Sequence, residues 1–101
     1  MISFIYVISA RPEGPCKIGL SLTPEKRLRQ LQTGHPERLH LYHTMEVDTP
    51  KVALLEKIIH KTIRYKRTHG EWFDLSVTDA VAEVEFAMIR YGDEGNLRNF
   101  L

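Results

Sequence analysis

Phe4-Ile5-Tyr6-Val7 and Cys16-Lys17-Ile18-Gly19-Leu20, separated by Ala10-Arg11-Pro12-Glu13-Gly14-Pro15, decide how the rest of the chain is read. The first run is β-branched and aromatic, the mark of a strand. The middle stretch has two prolines and a glycine and forces a turn. The third is a short apolar strand, so the two runs are expected to pair as an antiparallel hairpin. Working outward, Thr23-Pro24-Glu25 has the cap, the first-turn proline and the acid that open a helix, and Gly34 closes it. Leu39, Leu41, His43, Met45 and Val47 then alternate with polar neighbours, which predicts a strand with one buried face. Thr49-Pro50 repeats the helix-start signal. That second helix is expected to run to about Tyr65, with Val52, Leu55, Ile59, Thr62 and Ile63 as its core stripe and Ile58 beside it. Glu71-Trp72-Phe73-Asp74-Leu75 reads as a short strand or extended segment after Gly70. Ser76 and Asp79 resemble a capping box that opens a third helix ending near Gly92. The order β-β-α-β-α-(β)-α predicts an α+β domain over residues 1–92, with 93–101 as a C-terminal tail.

A chain of 101 residues is enough for one domain with a single modest core. Cys16 is the only cysteine, so an internal disulfide is excluded and a reducing, cytoplasmic setting is expected. Met1-Ile2-Ser3-Phe4 lacks the basic start of a secretory leader, and no apolar run reaches membrane-spanning length. The net charge of +1 is unevenly spread: residues 1–50 carry +1, residues 51–70 carry +5 and residues 71–101 carry −5. The basic block, Lys51, Lys57, Lys61, Arg64, Lys66 and Arg67, is either a polyanion footprint or a solvated helix face.

Helical spacing puts Glu56 on the flank of the second helix's apolar stripe, with His60 one turn along the same flank. An acid at the edge of a buried face can sit in a cleft, or it can pair with His60 or Lys57 on the surface. Arg27, beside the core residues Leu28 and Leu31, carries the same two readings. Tyr6 reads as a core aromatic whose hydroxyl needs a partner, and Lys17 as an exposed residue on the hairpin. The hairpin also allows them to be side-by-side cross-strand neighbours. A free tyrosine has a pKa of ~10, so a cation beside Tyr6 would be needed to make it a base near neutrality. Trp72 and Phe73 fit core packing, and an exposed aromatic there would also fit stacking on a base. His35, His40, His43 and His69 have no metal-ligand spacing; His40 and His43 are expected on opposite strand faces.

At these residues the chain resembles the GIY-YIG nuclease domains, in particular their short branch in phage and bacterial proteins. The matching pieces are Ile5-Tyr6-Val7, Lys17-Ile18-Gly19, the helix from Glu25 to Leu31, the turn Thr33-Gly34-His35-Pro36, Leu55-Glu56 through His60, and Gly70-Glu71-Trp72-Phe73-Asp74-Leu75. They lie in order over roughly residues 3–85. The resemblance implies a small mixed or antiparallel three-stranded sheet flanked by helices, carrying one metal-dependent endonuclease site for DNA. It implies that Tyr6 is the general base or positions the attacking water, that Arg27 stabilises the scissile phosphate, and that Glu56 holds a single Mg²⁺ or Mn²⁺ ion that otherwise keeps its waters. Gly19 would keep bulk away from the site.

The chain departs from the pattern at three places, one of them Leu31, four residues after Arg27, where some relatives carry histidine or tyrosine. The first half-motif lacks its glycine, and Lys17 stands where a second tyrosine is usual. Lysine there resembles some members of the family, and the resemblance assigns it to lowering the Tyr6 pKa or holding the nucleophilic water. His60 would bind phosphate or shuttle a proton. The expected partner is nucleic acid, with no membrane, and a homodimer or partner protein would supply specificity. A catalytically silent nucleic-acid-binding or protein-interaction module on the same scaffold is the competing expectation, motivated by the near-neutral charge and the missing tyrosine.

Overall fold

The two apolar runs at the start of the chain pair as the sequence predicts. β1 (Ile2–Ser9) lies antiparallel to β2 (Cys16–Ser21), with Tyr6 opposite Gly19 and Ile8 opposite Lys17. The structure, a computed structural model, describes residues 1–91; the expected tail at 93–101 and the expected end of the third helix at Gly92 lie outside the described residues. The remaining elements are α1 (Pro24–Gln32), β3 (His40–Asp48), α2 (Thr49–Thr62), a 3-10 turn (Arg64–Lys66), β4 (Arg67–His69), β5 (Trp72–Phe73) and α3 (Val77–Tyr91). They form an α+β fold with one antiparallel sheet in the order β3-β1-β2-β5-β4.

The sheet has five strands where three were expected. β5 falls within the short strand or extended segment expected at 71–75, whereas β4 was not expected and has no hydrophobic alternation to betray it. All three residues of β4 are exposed, and β5 is two residues long. Strand alternation sends β1 and β2 side chains to two faces. Ile5, Val7, Cys16 and Ile18 join Phe73 against Val52, Leu55 and Ile59 of α2 and Val84 of α3. Tyr6 and Ile8 face the other way and pack with Leu39, Leu28 and Leu31, so α1 covers this second face. The sheet is therefore enclosed on both sides by helices that differ in origin and in chemistry.

β3 departs from the expected single buried face. Its odd-numbered residues are the less exposed ones, as predicted, with Val47 buried, but the pairing with β1 slips between Val7 and Ile8. His43 lies opposite Val7 and Leu41 opposite Ile8, which leaves Tyr42 as the extra residue of a bulge. Met45 and Val47 consequently belong to the α2/α3 core, while Leu39 and Leu41 belong to the α1 side. One strand serves both layers. The slip also puts His40 and His43 on the same face by register, correcting the expectation that they oppose. Among the described residues neither joins a three-ligand cluster.

Helix boundaries follow the local signals with small shifts. Gly34 adopts φ +82 just beyond α1, as its role as a stop requires. Ser76 Oγ accepts from the Asp79 N–H at 3.1 Å, the cap expected for α3. Helix α2 ends at Thr62 rather than near Tyr65. Thr62 is exposed instead of lying in the core stripe, and its hydroxyl donates back to the Ile58 carbonyl at 2.8 Å.

The bulge yields a direct test. Tyr42 is exposed, so Tyr42→Ala should cost less than about 1 kcal/mol. Deleting Tyr42 should cost at least about 3 kcal/mol, since one pair of apolar side chains must then turn away from its layer. Urea denaturation of both variants decides it, and equal costs would rule out the two-layer role of β3.

Candidate metal and phosphate site

β5 pairs with β2 only at Cys16↔Phe73 and Lys17↔Trp72, so beyond Lys17 the outer edge of β2 has no strand beside it. Backbone polar groups at such an edge still need partners. Here they come from other elements. The Ile18 N–H donates to the Glu71 carbonyl at 3.2 Å, and the Ile18 carbonyl accepts from His60 Nε2 at 2.7 Å. The Leu20 N–H donates to the Glu56 carboxylate. Glu56 and His60 are four residues apart on α2, so laying that helix along the open edge presents both side chains to it. Because a carbonyl only accepts, His60 Nε2 carries a proton, and in the neutral ring Nδ1 is the free acceptor.

Tyr6 and Lys17 share a face of the hairpin, but they are diagonal rather than side by side, because Tyr6 is opposite Gly19 and Lys17 opposite Ile8. The Tyr6 ring crosses directly over Gly19. A β-carbon at position 19 would collide with the phenol oxygen, would lie 2.6 Å from Tyr6 Cζ, and would crowd Glu71 Oε1 at 3.1 Å. Glycine is thus required by the close approach of the ring, as the sequence predicts for a position kept free of bulk. Arg27 reaches the same oxygen from α1 and hydrogen-bonds Tyr6.

Lys17 is buried, only 7 % exposed, where an exposed position was expected. A buried ammonium needs a counter-charge. It has one in Glu71, from the turn between β4 and β5, with Lys17 Nζ 3.2 Å from Glu71 Oε1. Glu71 is the residue that sequence reasoning did not single out. Its signal was present in Gly70-Glu71-Trp72-Phe73: once Trp72 pairs with Lys17, the residue before it must stand at the open edge of β2.

Ligand atoms of Glu56, His60 and Glu71 all lie within 4.8 Å of one another. Glu56 Oε2 is buried and has no hydrogen-bond partner, the condition of an acceptor awaiting a cation. Two carboxylates and an imidazole fit a divalent metal, with carboxylate oxygens favouring a hard ion. The expectation of Glu56 as the sole protein ligand is thereby widened to a cluster of three candidates.

The electrostatics follow from this crowding. Burial, and then the nearby Glu71 carboxylate, push the Glu56 pKa up to about 7, against the opposing pull of Lys17 and the Leu20 N–H. Burial also raises the Tyr6 pKa; the Arg27 hydrogen bond and charge oppose this, and Glu71 and Glu56 add to it. The expectation that Lys17 lowers the Tyr6 pKa is not met. Lys17 pairs with Glu71 and offsets Glu56, while Arg27 is the cation that acts on Tyr6.

Tyr6, Lys17, Arg27, Glu56 and His60 therefore meet at one place, the open edge of β2. Phe73 is fully buried and takes the core reading. Trp72 is half-buried: it packs on the α1-side cluster, stacks with His35 at 5.8 Å between centroids, and has Lys17 Nζ 5.8 Å from its ring centre. In the basic block, Lys57, Lys61 and Arg64 are exposed at helical spacing on and just beyond α2. No helix among the described residues is long and apolar enough to cross a membrane.

Comparison with known protein families gives a match over most of the chain. The family model of the T5orf172 domain covers residues 3–88, nearly the whole described fold. No curated protein and no solved structure matches the chain.

The Glu56 environment predicts a pH signature for the metal-free protein. A pKa raised from 4.5 to about 7 means that the folded chain holds this proton more tightly than the unfolded chain. The associated stability is fully present below pH 4.5 and is lost as pH rises through about 7. Glu56→Gln should therefore melt with the wild type at the acid end and a few degrees above it on the alkaline side. Saturating Mg²⁺ or Mn²⁺ should then stabilise the wild type but not the variant. Parallel melting curves at every pH would show that Glu56 is not under this strain.

Proposed function

The chain belongs to the T5orf172 domain family, a nuclease-like family, and from that premise we propose a divalent-metal-dependent endonuclease of the GIY-YIG kind, hydrolysing phosphodiester bonds in DNA. The observation that carries this reading is the orphaned, buried Glu56 Oε2 within a cluster that also holds His60 and Glu71, beside the Tyr6–Arg27 pair. A Mg²⁺ or Mn²⁺ ion held by Glu56, with His60 and Glu71 available beside it, would supply Lewis-acid stabilisation of the leaving 3′-oxygen.

Each side chain has a task that its surroundings suit. Arg27 presents a planar fork of donors to the non-bridging oxygens of the scissile phosphate, where charge accumulates in the transition state. Burial holds Tyr6 as a neutral phenol, so its first task is to orient the attacking water through its oxygen. The Arg27 guanidinium favours the phenolate and so assists proton uptake from that water. Lys17 balances the charge of Glu71 and Glu56 instead of acting as a base. His60, fixed through Nε2 to the Ile18 carbonyl, keeps its ring in one orientation beside the two carboxylates. The exposed cations on α2 would follow the nucleic-acid backbone, with a second subunit or a partner protein adding specificity.

Cleavage of single-stranded, duplex and branched DNA with Mg²⁺ and with Mn²⁺ tests the assignment. Glu56→Gln and Arg27→Ala, checked for folding by circular dichroism, should each lower the rate by roughly 10²–10³-fold. A Glu56→Gln protein as fast as the wild type would sink the proposal. Tight binding without turnover across all metals and substrates would assign the fold to a catalytically silent nucleic-acid-binding module.

A further inference from the structure

A second concavity lies beside Trp72, lined by residues other than Glu56, His60 and Glu71. Its volume is about 180 Å³, and Ala10, Pro15, His35, His69 and Trp72 form its apolar and aromatic lining. We propose that this hollow binds one unpaired nucleobase of the substrate strand, next to the phosphodiester received by the Glu56 cleft. The inference rests on reading that cleft as a phosphodiesterase site, and it makes the substrate a nucleic acid with an unpaired nucleotide beside the cut.

Three features favour a base as the occupant. The hollow is aromatic on one wall: the His35 and Trp72 rings are 25° from parallel, and bases stack on such platforms whatever their sequence. That wall is built in advance. The Glu37 N–H donates to His35 Nδ1 at 3.2 Å, and the His35 N–H donates to the Gln32 carbonyl at 3.0 Å. The Gln32 side chain ties the same loop down twice, donating to the Glu37 carbonyl at 2.9 Å and accepting from the Leu39 N–H at 2.7 Å. At the rim, Arg11 and Glu37 form a two-pronged pair at 2.7 and 3.0 Å, which offers both donors and acceptors to a base edge.

Continuity with the neighbouring cleft supplies the second line of support. Lys17 borders both places: its ammonium lies 3.2 Å from Glu71 and 5.8 Å from the centre of the Trp72 ring, which lines the hollow. A strand whose phosphate lies against the Glu56 cluster would therefore carry an adjacent base to Trp72. The hollow has the scale of one base and not of a base pair, so a base inside a duplex would have to be extruded first. Extrusion is cheapest where the nucleotide is mismatched, branched or already single-stranded.

Trp72 is the only tryptophan of the chain, so its emission reports on the hollow without any added label. The experiment uses metal-free Glu56→Gln protein, which reads binding without cleavage. Its DNA is a branched oligonucleotide with a dye for anisotropy and one abasic site moved along the unpaired strand. Binding should quench Trp72. One abasic position should weaken affinity by about tenfold and abolish the quenching, while its neighbours should have little effect. His35→Ala, which leaves Trp72 in place, should reproduce that loss and remove the dependence on the abasic position. Unchanged Trp72 emission at saturation, or equal affinity at every abasic position, would overturn the proposal. Saturable quenching by a free nucleoside monophosphate at equal or lower concentration would overturn it too, by assigning the hollow to a free nucleotide. A protein that binds this way yet never cuts DNA would refute the endonuclease reading alone.

Discussion

The site depends on a sheet edge that stops pairing too early. β5 is two residues long, so β2 loses its strand partner after Lys17 while its backbone groups at Ile18 and Leu20 still need hydrogen bonds. A longer β5 would satisfy them with backbone and close the edge. Instead, α2 lies along it and supplies His60 and Glu56 as partners. Two side chains of the candidate site are thus held by a structural need, and the floor between them is fixed by the clash-free passage of Tyr6 over Gly19.

Charge is the second constraint. Glu56 and Glu71 are close enough for each to matter to the other, and the partial burial of Glu56 weakens the screening between them. The chain places two cations against this: Lys17, buried and paired with Glu71, and Arg27, hydrogen-bonded to Tyr6. Burial is the largest reason that Glu56 and Tyr6 are both shifted toward their protonated forms, and Glu71 adds to each shift while Lys17 and Arg27 oppose them. A tyrosine at position 17 would leave Glu71 without its ammonium partner. Lys17 and Glu71 are therefore a matched pair, the buried ammonium having the acid beside it as its counter-charge.

What the sequence disclosed and what it hid divide along physical lines. Long, strongly patterned elements were legible: the β1–β2 hairpin, α1 from its proline and glycine ends, α3 from its Ser76 cap, and the burial of Leu55 and Ile59 on α2. Positions of Tyr6, Arg27, Glu56 and His60 relative to core stripes were legible for the same reason. The hidden features depend on partners distant in sequence. β4 is fully exposed, so hydrophobic alternation has nothing to register there. The Tyr42 bulge changes which layer receives Leu39 and Leu41 without changing which residues are buried. Burial of Lys17 required Glu71, 54 positions along the chain and invisible to any local pattern.

The short β2–β5 ladder also explains why two unlike environments can share one lysine. Its single in-register pair on the α1-side face, Lys17↔Trp72, separates a carboxylate-rich cleft from an aromatic hollow. The ammonium is bound on one side by Glu71 and lies near the indole face on the other, so its charge contributes to both. On the proposed reading, a nucleotide offers the complementary halves: an anionic phosphate for the Arg27–Glu56 side and a flat, weakly polar base for Trp72. Shortening β5 to two residues opens the cleft, and keeping those two residues paired holds Trp72 at its border. One short strand therefore fixes both the chemistry proposed for the cleft and the distance from it at which a base can be held.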